Sequence, residues 1–168
     1  MSGDLGNHFR HALRGQAASV CVVAANTPDG RKGLTATAVM SLSVDPPVLA
    51  VAVNRSARLN PDLEPGASLC VHLLSEHQAD IAQAFAGGVP AENRFKVGDW
   101  GCDAWGAPML ADASASFSCL IDQRLEQATH SLIIARVRAV SIAHDAQPLL
   151  YAHGAFAGLR RLEHGRAA

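Results

Sequence analysis

The sequence has no excess of charge of either sign: 14 lysines and arginines stand against 15 aspartates and glutamates, a formal charge of −1. A chain balanced in this way has no basic field with which to gather nucleic acid or anionic lipid, so a nucleic-acid role is excluded at the first step. Long hydrophobic runs are also missing. The longest, VCVVAA and VLAVAV, fall far short of the ~20 residues that a spanning helix requires. The N-terminal MSGDLGNHFRHALRG lacks an apolar stretch of signal-peptide length. These absences predict a soluble, cytoplasmic protein with no membrane partner.

Paired cysteines are lacking too. Cys21, Cys70, Cys102 and Cys119 form no CxxC, and three of them sit in apolar, strand-like runs. The expectation is free thiols in a reducing compartment, with neither disulfides nor zinc. His8 and His11 stand three apart on a probable helix, but no further ligand follows in a recognisable spacing. No metal site is expected. The chain also carries no GxGxxG, no GxxxxGK[ST], no GxSxG and no HExxH, which sets aside the common nucleotide folds and the familiar hydrolase sites. An enzyme without such groups can still work where a cofactor carries the reaction and the protein positions it.

What is present is enough apolar residue, 49% of 168, for one compact domain spanning residues 1–168. Leu5, Phe9, Ala12 and Leu13 recur at helical spacing and predict a short amphipathic helix from about Leu5 to Arg14. ASVCVVAANTPDGRKGLTATAV predicts a hairpin turning at Pro28 to Gly30, and Pro46 and Pro47 end its returning strand. VLAVAVN and SLCVHLL are further strands, separated by a helical turn in RSARLNPDLEPG. Ser75 and Gln78 form a capping-box signature for a helix that stops at Gly87 and Gly88. Gly87 to Pro108 has no period and predicts a long loop. Two long strands follow. In the second, Ile133, Ala135, Val137 and Ala139 alternate with Arg136 and Arg138, the pattern of a half-buried antiparallel strand. PLLYAHGAFAGLRRL predicts a last strand pair. The expected fold is mainly β, an antiparallel six-stranded barrel with a few short helices.

One stretch is chemically unusual. GLTATAVMSLSVDPP sets Thr35, Thr37, Ser41 and Ser43 among Ala36 and Ala38, and side chains this small would let a flat ring approach the backbone while hydroxyls and amides bond its polar edge. A strand later, NRSAR supplies Asn54, Arg55, Ser56 and Arg58 at a probable helix start, a composition able to grip a phosphate. From composition alone the plainer alternative, a half-exposed edge strand and a solvated helix cap, stays open.

The ordered segments HFRHALR, GLTATAVMSLSVDPPVLAVAVNRSAR, SLCVHLLSEHQADIAQAFA, NRFKVGDW, GAPML, THSLIIARV and PLLYAHGAF resemble the flavin reductase family, the short-chain reductases of two-component flavin-dependent monooxygenases. The resemblance runs from about Phe9 to Leu162 and is most specific in TAT-x-x-x-S-x-S-x-DPP and N-R-S. It implies an FMN-binding split-barrel fold of Greek-key topology, a homodimer, FMN or FAD as flavin, NADH or NADPH as hydride donor, and a partner monooxygenase that receives reduced flavin. It also implies Thr35, Ala36, Thr37, Ala38, Ser41, Ser43, Asn54, Arg55, Ser56 and Arg58 as flavin contacts. His130 matches a histidine near the nicotinamide, although relatives usually have Gly-Asp-His where this chain has Ala128-Thr129-His130. A strand-end histidine facing water is the other reading of it. His72 stands where the family commonly has asparagine, beside the flavin or as a tolerated polar replacement. Tyr151, the only tyrosine, lies on the nicotinamide side or packs in the core. The resemblance leaves two other classes open: a flavoprotein of the same fold that retains its flavin, and a non-catalytic flavin- or haem-binding barrel.

Overall fold

A computed structural model describes residues 2–160; Leu162, the end of the expected core, lies outside them. The chain opens with α1 (Ser2–Leu13) and β1 (Ala18–Ser19). The expected hairpin follows as β2 (Cys21–Thr27) and β3 (Gly30–Ala36), joined through Pro28 and Asp29 with Thr27 opposite Gly30. The Thr27 hydroxyl donates to the Gly30 carbonyl at 2.9 Å and accepts from the Asp29 N–H at 3.3 Å, which closes the turn. β4 (Val39–Val44) and β5 (Pro47–Asn54) are joined through Asp45 and Pro46, with Pro47 opening β5, and β6 is Ser68–Leu73. After β6 the capping box forms: Gln78 Oε1 accepts the Ser75 N–H at 2.9 Å. The helix it opens is short, a 3₁₀ turn running into α2 (Ala79–Gln83) and a π turn (Ala84–Gly88) broken by Gly87 at φ 107°.

The expected structureless loop from Gly87 to Pro108 has local order. It contains a 3₁₀ turn (Ala91–Lys96) and a small hairpin of β7 (Trp100–Cys102) and β8 (Pro108–Leu110). Its rings hold it down: Phe95 and Trp100 pack on each other and on Phe85 with centroids 5.0–5.1 Å apart. The long hairpin is β9 (Ala115–Gln127) and β10 (His130–Ile142), paired along its length with irregularities at Ile134/Ala135 and Val137/Ala139. Ile133 and Ala135 are buried as the alternation predicts, while Ala139, beyond the second irregularity, is exposed. β11 (Leu150–Ala152) and β12 (Ala155–Ala157) complete a small sheet with β1.

The main sheet corrects the expected six-stranded Greek-key split barrel. It has seven strands in the order β3-β2-β6-β9-β10-β5-β4, and it is open, with no pairing between its edge strands β3 and β4. Closure fails for a local reason. The free edge of β3 is already engaged by the segment after β6: the Thr35 hydroxyl donates to the Ala82 carbonyl at 2.6 Å, and Arg94 Nη1 donates to the Gly33 carbonyl at 3.0 Å. Gly33 is required there, since a Cβ would stand 2.6 Å from the Phe85 ring. Yet β3 and β4 are consecutive in the chain, and Thr37 and Ala38 alone bridge them. Three Cα steps span at most about 11 Å, so the sheet coils until its two edges nearly meet.

The cores follow from this coiling. Cys21, Val23 and Ala25 of β2 enter one cluster with Val51, Leu69, Ile121 and Ile133, while Val22 and Ala24 enter a second with Leu74, Ile81 and Phe85. A strand covered on both faces reads as a continuous apolar run, which accounts for VCVVAA. α1 departs from expectation in its burial: Leu5 and Phe9 are 75% and 63% exposed. Among the described residues no helix is long and apolar enough to cross a membrane.

Candidate active site

A cleft of about 470 Å³ opens between the end of β3 with the crossing that follows it and the end of β5 with the turn after it, lined by residues that include Thr35, Ala36, Thr37, Ala38, Asn54, Ser56, Arg58 and His130. Such a volume is within the ~300–1,000 Å³ typical of small-molecule sites. One wall is the end of β3 and the two-residue crossing. The opposite wall is the end of β5 and the turn after it. Thr37 and Ala38 belong to neither ladder and are exposed; Ala38 offers its carbonyl to the Ala52 N–H at 3.0 Å. The thin wall is therefore main chain with little side chain over it, the geometry a planar ligand needs.

Hydrogen bonds refine the parts. The Thr35 hydroxyl is spent on Ala82, so this residue presents backbone and methyl to the cleft. Asn54 Oδ1 accepts both the Ser56 N–H, at 2.9 Å, and the Ser56 hydroxyl, at 2.8 Å, which pre-shapes the turn. Beneath it Asn60 is buried and fully engaged. It donates to the Val53 carbonyl at 3.1 Å and to Ser131 Oγ at 3.0 Å, and accepts from Arg124 Nη2 at 2.8 Å. That network ties the turn to β5, β9 and β10. No sequence motif announces it, because its members are scattered from position 53 to 131.

His130, the first residue of β10, pairs with Asn54 across the sheet and lies 2.9 Å from the Thr129 hydroxyl through Nδ1. The tight bend before it puts Ala128 at φ 50°. Glycine suits that conformation, and alanine holds it at a cost of about 1 kcal/mol. The replaced Gly-Asp thus alters the bend's comfort while His130 keeps its place at the rim.

Other expected contacts lie elsewhere. Ser41 and Ser43 are on β4, paired opposite Leu49 and Val48 beyond the crossing, and do not line the cleft. Arg55 is also absent from the lining and pairs with Glu126 at 3.3 Å. Tyr151 lines a neighbouring cleft of about 630 Å³ with Arg10 and Arg14, and the two clefts share Thr37 and Ala38. His72 is fully buried on β6, away from both. Its Nε2 is 3.1 Å from the Pro108 carbonyl and its Nδ1 2.8 Å from Ser116 Oγ. A carbonyl only accepts, so Nε2 carries the proton and Nδ1 accepts from the serine.

The lining also holds a charged residue with no role assigned from sequence. Arg94, from the NRF motif, reaches the cleft beside Gly33, and its Nε is buried without a partner among the described residues. The unassigned motif was the available signal. With the Arg58 guanidinium on the same cleft, Arg94 supplies cationic donors that fit a phosphate-bearing ligand.

The family profile described as "Flavin reductase like domain" matches residues 13–160. The chain belongs to this family. It is 40% identical over 144 residues to "FMN reductase (NADH) RutF 2" of Methylorubrum extorquens (strain PA1), covering 86% of this chain and 84% of that protein. The structure of a flavin reductase domain protein from Arthrobacter sp. FB24 superposes with TM-score 0.87 at 28% identity, covering 95% of this chain and 99% of the other. The Styrene Monooxygenase Flavin Reductase (SMOB) from Pseudomonas putida S12 gives 0.82 at 29% identity, with 92% and 99% covered.

His72 provides a pH test of the fold that carries this flavin reductase-like site. Burial lowers its pKa from 6.5 to about 4. As pH falls the unfolded chain therefore takes up the proton first. The neutral ring's contribution is complete above about pH 6.5 and is lost down to about pH 4, by on the order of 3 kcal/mol. Urea unfolding should show the native protein losing more stability than His72→Asn between pH 7 and about 4.5. Parallel losses would contradict the buried neutral assignment.

Proposed function

We propose that the chain is an NAD(P)H-dependent flavin reductase whose flavin lies in the main cleft, its ring along Thr35 to Ala38 and its phosphate toward Ser56, Arg58 and Arg94. The observation that carries the reading is the juxtaposition of a bare main-chain wall with a cation-bearing turn in one cleft. FMN and FAD both present the ring and first phosphate these walls require.

Bound there, a flavin supplies an acceptor for the hydride of reduced nicotinamide. The residues supply position: transfer of this kind needs reacting atoms ~3–3.5 Å apart and little acid-base assistance. The crossing at Thr37 and Ala38 holds the ring from one side. Asn54 and Ser56, locked by the Asn60 network, keep the opposite wall in place. Because Ser56 already bonds Asn54, Arg58 and Arg94 supply most of the attraction for a phosphate. His130 borders the approach of the nicotinamide, and Tyr151 marks the second cleft that opens on the same crossing.

The reduced product supplies a separate flavin-dependent monooxygenase, a reading supported by similarity to a protein named Styrene Monooxygenase Flavin Reductase. The cysteines Cys21, Cys70, Cys102 and Cys119 are all unpaired, and burial pushes the thiols of Cys21, Cys70 and Cys119 up to about 12. Free thiols in a reducing compartment accord with a cytoplasmic enzyme.

The active form is a homodimer. Edge strand β4 exposes Met40, Leu42 and Val44, the last at 89%, and α1 exposes Phe9 and Leu13. An apolar, unpaired strand edge is a liability that a second copy removes.

Mixed with NADH and excess FMN or FAD, the purified protein should oxidise many equivalents of nicotinamide per chain. His130→Ala should raise the KM for NADH several-fold, roughly, with flavin affinity nearly intact. A single reduction of tightly held flavin would place the protein among retained-cofactor flavoproteins, and no oxidation would reject the reading. Sedimentation should give twice the 17.6 kDa chain mass; a lone 17.6 kDa species would reject the dimer.

A further inference from the structure

The main cleft does not end at its arginines. Gly33, Arg58 and Arg94 also line a smaller cleft of about 200 Å³, between the β2–β3 turn and the 3₁₀ turn Ala91–Lys96. Its charged groups are Asp29, Arg31, Lys32, Arg58, Glu92 and Arg94. Lys32 is neutralised within the fold, 3.2 Å from Asp29 and 2.9 Å from Asp62. The arginines are not. Among the described residues none of the three has a carboxylate partner: Arg31 Nη2 is 3.5 Å from Cys102 Sγ, Arg94 bonds only the Gly33 carbonyl, and Arg58 bonds nothing. Glu92 is the single unpaired carboxylate beside them.

We propose that this smaller cleft takes the second phosphate of a dinucleotide whose ring and first phosphate occupy the main cleft. The inference rests on the flavin reading of that main cleft. Guanidinium groups present paired donors matched to phosphate oxygens. A mononucleotide gripped at Arg58 and Arg94 ends there. A second phosphate continues through the shared wall toward Arg31, which lines the smaller cleft alone. Arg94 serves both compartments, since it lines each of them. The consequence is discrimination: FAD gains contacts in this chain that FMN cannot make. The nicotinamide dinucleotide carries the same diphosphate and is the other source of that chemistry.

Arg31→Glu separates the possibilities, since it reverses one charge on an exposed hairpin. Thermal unfolding checks that the variant is folded, and Arg31→Gln serves if it is not. Flavin fluorescence titration gives Kd for FAD and FMN, steady-state kinetics with FMN give KM for NADH, and calorimetry measures ADP binding to the protein alone. FAD affinity should fall about tenfold and FMN affinity by less than about twofold, with ADP binding weakened in parallel. A tenfold rise in KM for NADH, roughly, with FAD unaffected, would support the same cleft holding the nicotinamide dinucleotide's diphosphate. Native values for FAD, NADH and ADP together would overturn the proposal. If the native protein binds neither flavin, the main-cleft reading fails, and ADP binding with its loss in the variant decides the smaller cleft by itself.

Discussion

The structure depends on how little chain separates β3 from β4. Thr37 and Ala38 carry the backbone from one edge of a seven-stranded sheet to the other, so the sheet must coil strongly on itself, in the sense that right-twisted strands favour. Neither residue belongs to a strand, and only the Ala38 carbonyl bonds across, to the Ala52 N–H of β5. The outcome is a short length of main chain standing bare between two clefts. Small side chains are needed here for a physical reason: bulk at Ala36 would crowd the core cluster it packs in, and bulk at Ala38 would fill the space beside the crossing.

Two further devices hold this opening apart. On one side Phe85 lies over Gly33, and Arg94 and Thr35 tie the edge of β3 to the helical segment, which keeps β4 from closing the sheet. On the other, the buried Asn60 fastens the turn after β5 to β5 itself, to Ser131 and to Arg124. Buried polar groups of this kind favour a defined geometry when every partner is satisfied. The arginines left without carboxylates, Arg31, Arg58 and Arg94, then set the sign of the field at one end of the cleft.

Much of this was legible in the sequence because it is local. The Thr27–Gly30 turn, the Ser75 and Gln78 capping box and the alternation about Ile133 each depend on neighbours in the chain, and each formed where expected. Thr35 to Ala38 and, from the second segment, Asn54, Ser56 and Arg58 line one cleft. What was not legible depends on chain that is distant in sequence. Ser41 and Ser43 look continuous with Thr35 and Thr37 in composition, but the crossing moves them to another edge. Closure of the sheet was expected from strand count, and the occupant of the β3 edge, some fifty residues downstream, prevents it. Arg55 carries the right charge, but Glu126 claims it. His72 reads as a polar residue beside a ligand, whereas Ser116, Pro108 and the Trp100 ring enclose it.

The central claim is spatial, and crystals soaked in FMN test it most directly. The account predicts ring density lying along the main chain from Thr35 to Ala38, with the phosphate beside Arg58 and Arg94. Density for the ring in another part of the molecule, with this opening unchanged, would contradict it.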